Sequence, residues 1–217
     1  MKLRIGIIGC GGIATGKHLS ALKSNGDLCE VVAFCDGILD RAKKAAQEYG
    51  VENAQVCQNY KELLANPNVD VVYVLTPNIS HSPIAVDAFH AGKHVMCEKP
   101  MAINTAEAEK MMAAWKESGK KFSIGYQNRY RADVRHLHSA CQNGDLGEIY
   151  YAKAYAIRRR GVPTWGSFIQ GSQQGGGPLI DIGTHSLDLA LWLMDNYDVE
   201  SVTGTVFKKL GKLPQAT

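Results

Sequence analysis

Ile5-Gly6-Ile7-Ile8-Gly9-Cys10-Gly11-Gly12-Ile13-Ala14 is the stretch that decides how this chain is read. An apolar run ends in glycines, and a helical pattern over 13–23 opens directly behind them. Glycines in that place permit a tight turn and the close approach of a pyrophosphate. The N-terminus of the following helix then offers the phosphates free N–H groups and the positive end of its dipole. Ala14 stands where the dinucleotide fingerprint has its third glycine, and alanine is an accepted substitute. A glycine loop alone is also what an ordinary tight turn looks like, so its surroundings matter. Asp36 closes the next apolar run, 30–34, at about the distance where an acid bonds the ribose hydroxyls. Its bland alternative is a turn or cap role, which aspartate often fills. Gly37 and Ile38 follow without an immediate cation to receive a 2′-phosphate, which favours NAD over NADP; Arg41 and Lys43 keep NADP open.

Outward from the glycine loop the pattern alternates. Strands are expected over 3–8, 30–34, 69–75, 95–97 and 122–125, and helices over 13–23, 41–49, 60–65, 83–91 and 105–118. The run over 69–75 is continuously apolar, as a central parallel strand must be when both of its faces are covered. Asn104 or Thr105 caps the helix over 105–118 and Gly119 ends it. This βαβ alternation predicts an α/β fold, a Rossmann-type doubly wound parallel sheet.

The pattern changes near residue 126. A helix over 132–142 precedes an alternating stretch, 149–157, then a loop rich in Gly, Gln and Ser over 160–178. A helix over 184–194 and a strand over 201–207 follow. Two strands make a marginal sheet. The expected division is therefore residues 1–125 as a dinucleotide-binding domain and 126–217 as an α+β domain with an open sheet, incomplete in this chain.

Lys99 stands at the end of the 95–97 run, in Glu98-Lys99-Pro100. A residue delivered to the carboxyl edge of such a sheet faces the crevice where these folds bind ligands. There a lysine can donate a hydrogen bond to a reacting oxygen. Its bland alternative is a solvated side chain beside a turn. Asp181 and His185 are four apart, which places them on one helix face, in an otherwise apolar stretch. Polar groups in such a setting need partners or a task. Imidazole is neutral near pH 7 and can take a proton, and a carboxylate beside it orients it and stabilises its charged form. A buried Asp–His bond that only caps the helix is the competing reading.

Composition narrows the function classes. The formal charge of +3 is small, and the only tight basic run is Arg158-Arg159-Arg160, too short to indicate nucleic acid. Six cysteines lack C-x-x-C spacing and read as reduced, mostly buried residues of a cytoplasmic protein. No metal site is supported: His136 and His138, two apart, fall on different helix faces. The first apolar run is too short and glycine-rich for a secretory signal, and no stretch is long enough to cross a membrane.

Taken together, Gly9 to Ala14, Thr76-Pro77-Asn78-Ile79-Ser80-His81, Ala91-Gly92-Lys93-His94-Val95 with Glu98-Lys99-Pro100, and Asp181-Ile182-Gly183-Thr184-His185 resemble the Gfo/Idh/MocA oxidoreductases. That is the family of glucose–fructose oxidoreductase and inositol dehydrogenase. The resemblance covers essentially the whole chain and is most specific over 76–100. It implies a Rossmann domain followed by an α+β domain, with Lys99 and His185 catalytic and Asp181 beside them. It implies that Gly9, Gly11, Gly12, Ile13, Asp36, Thr76, Pro77, Asn78, His81, Glu98 and Lys99 form the cofactor site. It also implies a cis Lys99–Pro100 bond. By position, Tyr126 and Arg129 behind the sixth strand and Arg158 and Trp165 beside the glycine-rich loop are the expected substrate contacts; surface roles for the first two and core packing for Trp165 are the competing readings. Members of the family are longer, so this chain is expected to stop inside the second domain.

The expected activity is hydride transfer between NAD(P) and a secondary alcohol of a sugar or cyclitol. The alternatives are an NAD-assisted glycosidase, which the resemblance includes, and a cofactor-binding regulatory protein without turnover. A small sugar or polyol is the expected partner, with no nucleic acid and no membrane. Association into a homo-oligomer is expected where the C-terminal sheet is complete.

Overall fold

The structure is a computed structural model; it describes residues 1–163 and 166–207. The chain divides into two compact units, Met1–Gly125 and Tyr126–Thr217.

The first unit is built on six parallel strands: β1 (Leu3–Ile8), β2 (Cys29–Cys35), β3 (Gln55–Cys57), β4 (Val71–Val74), β5 (His94–Cys97) and β6 (Phe122–Ile124). They lie in the order β3-β2-β1-β4-β5-β6. The chain winds outward from β1 to β3, then crosses back to β4 and winds the other way. The point of reversal therefore falls between β1 and β4, where open α/β sheets place their ligands. β3 was not expected from the sequence: Gln55-Val56-Cys57 is short and shows no alternation.

Helices cover both faces, which is why the central strands are apolar throughout. Ile5, Ile7, Leu19, Phe34, Ala42 and Ala45 form the core on one face. Ile8, Leu63, Val72, Val74, Phe89 and Met111 form the other. The helices are α2 (Leu39–Tyr49), α3 (Tyr60–Leu64), α4 (His81–His90) and α5 (Thr105–Ser118), with α1 (Leu19–Ser24) entered through a π-helical turn, Ala14–His18. At the start of α5 the Asn104 carboxamide accepts from the Glu107 amide at 2.9 Å, and Gly119 ends the helix with φ +64°. The buried Lys93 amine donates to the carbonyls of Asn66 and Val69 at 2.7 and 2.9 Å, and burial pushes its pKa down.

In the second unit the described helices are α6 (Ala132–Gln142), α7 (Gly171–Gln174) and α8 (Thr184–Met194), the last entered through a π-helical turn, Leu179–Gly183. The strands expected over 149–157 and 201–207 do not form: neither belongs to a ladder among the described residues. A strand is defined by its neighbour, and a lone pair of strands is marginal even when it forms. Their apolar side chains remain exposed, with Tyr150 at 88%, Ile157 at 80% and Val202 at 84%. A groove of about 540 Å³ lies within this unit, lined by Leu137, Cys141, Ile149, Leu189, Leu193 and Met194.

Candidate active site

The glycine loop leaves β1 at the point of reversal. Gly9 has φ +96°, and a Cβ there would stand 2.6 Å from the Leu75 carbonyl oxygen, so only glycine fits. Its amide donates to the Cys35 carbonyl at 2.8 Å, tying the loop to the end of β2. Gly11 and Gly12 differ: nothing lies within 4 Å of a Cβ at either, so their backbone is open to a ligand. Ile13 is exposed beside them. The helix that follows begins with its N–H groups at this opening, the arrangement that suits a pyrophosphate.

Asp36 is buried at the end of β2, and each of its carboxylate oxygens accepts a backbone amide. Oδ2 takes the Cys10 N–H and Oδ1 the Ile38 N–H, both at 2.8 Å. The acid thus closes the glycine loop against β2. A carboxylate oxygen has room for more than one donor, so each can still receive a ribose hydroxyl. The turn role and the ribose role are compatible here.

Thr76, Pro77 and Asn78 follow β4 on the other side of the reversal. Thr76 Oγ1 is buried and has no hydrogen-bond partner among the described residues. A buried hydroxyl in that state calls for a partner. With the open glycines, it makes the crevice fit a dinucleotide.

His81, expected to line the cofactor crevice, is enclosed between two of its loops. It is only 1% exposed. Its Nδ1 lies 2.8 Å from the Pro100 carbonyl and its Nε2 2.9 Å from the Thr76 carbonyl. The ring therefore links the loop after β4 to the loop after β5. Burial pushes its pKa down, toward the neutral form that donates to one carbonyl at a time.

Lys99 follows β5, is half-buried, and is joined to Pro100 by a cis peptide bond. Glu98 before it carries an interaction that the sequence did not reveal. Its Oε1 meets His18 Nε2 at 2.7 Å, with both side chains largely buried, and its Oε2 accepts the Lys99 amide at 3.1 Å. Burial alone would raise the Glu98 pKa, but the hydrogen bond and charge of His18, with help from Lys99, hold it below the ordinary value. His18 also packs edge-on against Tyr73, with ring centroids 5.8 Å apart. The signal was available: His18 falls four residues after Ala14, on the stripe that otherwise buries Ala14, Leu19 and Leu22.

In the second unit Asp181 lies in the π-helical turn and His185 in the first turn of α8, where it is buried. The four-residue spacing therefore spans a junction and not a uniform helix. Tyr126 Oη meets Thr184 Oγ1 at 2.9 Å, and its ring stands edge-on to His185 at 6.2 Å. Arg129 forms a forked pair with Asp188 through Nε, at 2.9 Å, and through Nη2. Its guanidinium also lies over Trp192, 5.2 Å from the ring centroid. The expected substrate contacts Tyr126 and Arg129 thus hold α8 in place. Arg158 is exposed, and Trp165 lies outside the described residues.

The buried thiols are held protonated by their surroundings. Burial pushes the Cys10 thiol up to about 12 and raises Cys35 and Cys97 further from reactivity. No helix of the described residues is long and apolar enough to cross a membrane.

Comparison with known proteins agrees with this geometry. Residues 3–126 match the model of an oxidoreductase family with an NAD-binding Rossmann fold, and residues 134–214 match the GFO/IDH/MocA C-terminal domain. The chain is 42% identical over 209 residues to the D-glucoside 3-dehydrogenase of Escherichia coli K12, covering 96% of this chain and 59% of that protein. It superposes on the crystal structure of a 3-ketoreductase from Actinomadura kijaniata in complex with NADP and TDP-benzene. That match has a TM-score of 0.77 and 30% identity, over 89% of this chain and 58% of the other. It also superposes on myo-inositol 2-dehydrogenase from Lactobacillus plantarum, with a TM-score of 0.78 and 28% identity, over 90% and 57% of the two chains. The chain thus spans under two thirds of the length of these relatives. Glycine loop, Asp36, Lys99 turn and the two matched domain models agree: the chain belongs to the GFO/IDH/MocA oxidoreductase family.

Proposed function

We propose that this protein is an NAD-dependent dehydrogenase that oxidises a ring secondary hydroxyl of a sugar, a glucoside or a cyclitol. The observation that carries the reading is the position of Lys99. It follows β5 at the same carboxyl edge as the glycine loop, and Glu98 ties its backbone to the helix behind that loop. The relatives named as glucoside and inositol dehydrogenases support the substrate class. The preference for NAD rests on Asp36, whose carboxylate would meet a 2′-phosphate with like charge.

The dinucleotide supplies a hydride acceptor when bound. Gly11, Gly12 and the helix N-terminus hold its pyrophosphate, and Asp36 accepts from the ribose hydroxyls. Lys99 donates a hydrogen bond to the carbinol oxygen. His185 takes the hydroxyl proton onto its imidazole, and Asp181 stabilises the charge that results. Proton-transfer groups of this kind contribute about 10²–10⁴-fold each. The cytoplasm is the proposed location, in keeping with free cysteines at 10, 29, 35, 57, 97 and 141. A homo-oligomer is the proposed assembly, in keeping with the exposed apolar runs of the second unit.

The test is a panel of glycosides and polyols with NAD and with NADP, followed by NADH absorbance. Lys99→Met is expected to lower turnover by about 10²–10⁴-fold while NADH binding, followed by fluorescence, persists. Undiminished turnover in Lys99→Met overturns the assignment. Release of sugar from a glycoside without net NADH would favour glycosidase chemistry, and dinucleotide binding without turnover on any polyol would favour a regulatory role.

A further inference from the structure

His18 belongs to none of the motifs that define the cofactor loop, yet it is the residue that reaches from that loop's helix to the Lys99 turn. It closes the π-helical turn Ala14–His18, which begins immediately behind the glycine loop. Wide turns of this type inside α-helices are frequent at functional sites, and they re-aim the side chains that leave them. Here the side chain that leaves is His18. Its Nε2 meets Glu98 Oε1 at 2.7 Å, and the side chains of the two residues are 16% and 13% exposed. The other oxygen of the same carboxylate accepts the Lys99 amide at 3.1 Å.

The space around Glu98 is equally constrained. A Cβ on Gly125 would stand 3.2 Å from the Glu98 carboxyl carbon and from Oε1, so the glycine after β6 keeps room for this carboxylate. Tyr73 holds the His18 ring edge-on from β4. Three elements thus converge on one carboxylate: the helix after the glycine loop, the end of β5 and the end of β6. The backbone atom that the carboxylate grips belongs to Lys99.

We infer that His18 is a positioning residue for Lys99: through Glu98 it couples the helix that receives the pyrophosphate to the backbone of the lysine that faces the substrate. The inference rests on the role of Lys99 proposed above. In this role His18 acts through Glu98: it holds the carboxylate that accepts the Lys99 amide. Charge-assisted hydrogen bonds between largely buried groups are well suited to such a link, because they are short and directional.

The test compares His18→Leu, which removes the ring nitrogen, with His18→Gln, which offers a shorter amide donor. In His18→Leu the Lys99 amide is expected to exchange its hydrogen about tenfold faster, since the carboxylate it donates to is no longer anchored. Turnover is expected to fall about tenfold to a hundredfold, the scale of one hydrogen bond to a charged group, with the loss in kcat and not in KM for the alcohol. His18→Gln is expected to recover part of both. On a Lys99→Met background His18→Leu is expected to cause little further loss, because coupled residues are not additive.

Unchanged exchange at the Lys99 amide in a folded His18→Leu protein overturns the inference. So does a Gln variant as impaired as the Leu variant, or a full additional loss on the Lys99→Met background. Undiminished turnover in Lys99→Met would instead defeat the dehydrogenase reading, and the exchange measurement would still decide the link itself.

Discussion

β1 and the 149–157 segment are both short apolar runs, and they meet opposite fates. In β1, Ile5 and Ile7 are 2% and 0% exposed, and the strand is paired on both sides, with β2 and with β4. In 149–157, Tyr150 and Ile157 are 88% and 80% exposed, and no ladder forms among the described residues. Both runs carry apolar residues at strand spacing; their neighbours differ. A strand is stabilised by the backbone groups beside it and by the layers above and below it, and neither is encoded in the run itself. The first unit supplies both for β1. In the second unit, among the described residues, 149–157 meets side chains of α6 and α8 along the groove, and the Ser186 hydroxyl donates to the Tyr155 carbonyl at 3.2 Å.

The contrast can be broken most directly in the core. Phe34→Ala is expected to destabilise the first unit by about 3–5 kcal/mol, read from the urea midpoint, because Phe34 is fully buried and its truncation leaves a cavity. Glu98→Gln comes next, at about 1–3 kcal/mol, the scale of a hydrogen bond to a charged group. Its sign with pH is fixed by the lowered pKa of Glu98. That contribution is present above the ordinary carboxylate range and is lost as pH falls through the lowered pKa. The variant should therefore lose this share of the acid sensitivity, measured by urea midpoints between neutral pH and the acid limb. Gly9→Ala is expected to cost about 1–2 kcal/mol from its positive φ, with the Leu75 carbonyl adding to it. Gly11→Ala, with nothing near its Cβ, should leave stability alone and weaken NADH binding. Tyr150→Ser should change stability by no more than about 0.5 kcal/mol. A loss there as large as at Phe34 would mean that the two regions are equally consolidated, and the contrast would fail.

The same contrast explains what could be read in advance. The alternation of apolar runs with helical patterns carries the parallel sheet, because each βαβ unit brings its own neighbour in sequence. Residues 105–118 form the expected helix to the residue, since Asn104 and Gly119 punctuate it with local chemistry. β3 was not legible: Gln55-Val56-Cys57 becomes a strand only because β2 lies alongside it. The 149–157 run misled for the converse reason, having the pattern and lacking the neighbour. At the candidate site, the glycine loop and Asp36 were legible from spacing, while Thr76, His81 and Glu98 entered through resemblance. The enclosure of the His81 ring by the Thr76 and Pro100 carbonyls was not legible, because nothing local to it in the sequence announces them. The link from His18 to Glu98 spans 80 residues of sequence, so it could appear only once the sheet had brought the two elements together. Neither π-helical turn was legible either, since a single widened turn barely disturbs the apolar period of a helix.

Asp36 has a consequence for how this protein could be altered. One carboxylate closes the glycine loop through the Cys10 and Ile38 amides, and in the proposed function the same carboxylate reads the ribose. On that proposal, cofactor choice and loop closure are a single trait. Exchanging Asp36 for a neutral residue to admit a 2′-phosphate would unlatch the loop that must hold the pyrophosphate. A chain built this way reaches a new cofactor preference more readily by adding cations at Gly37 or Ile38 than by giving up the acid.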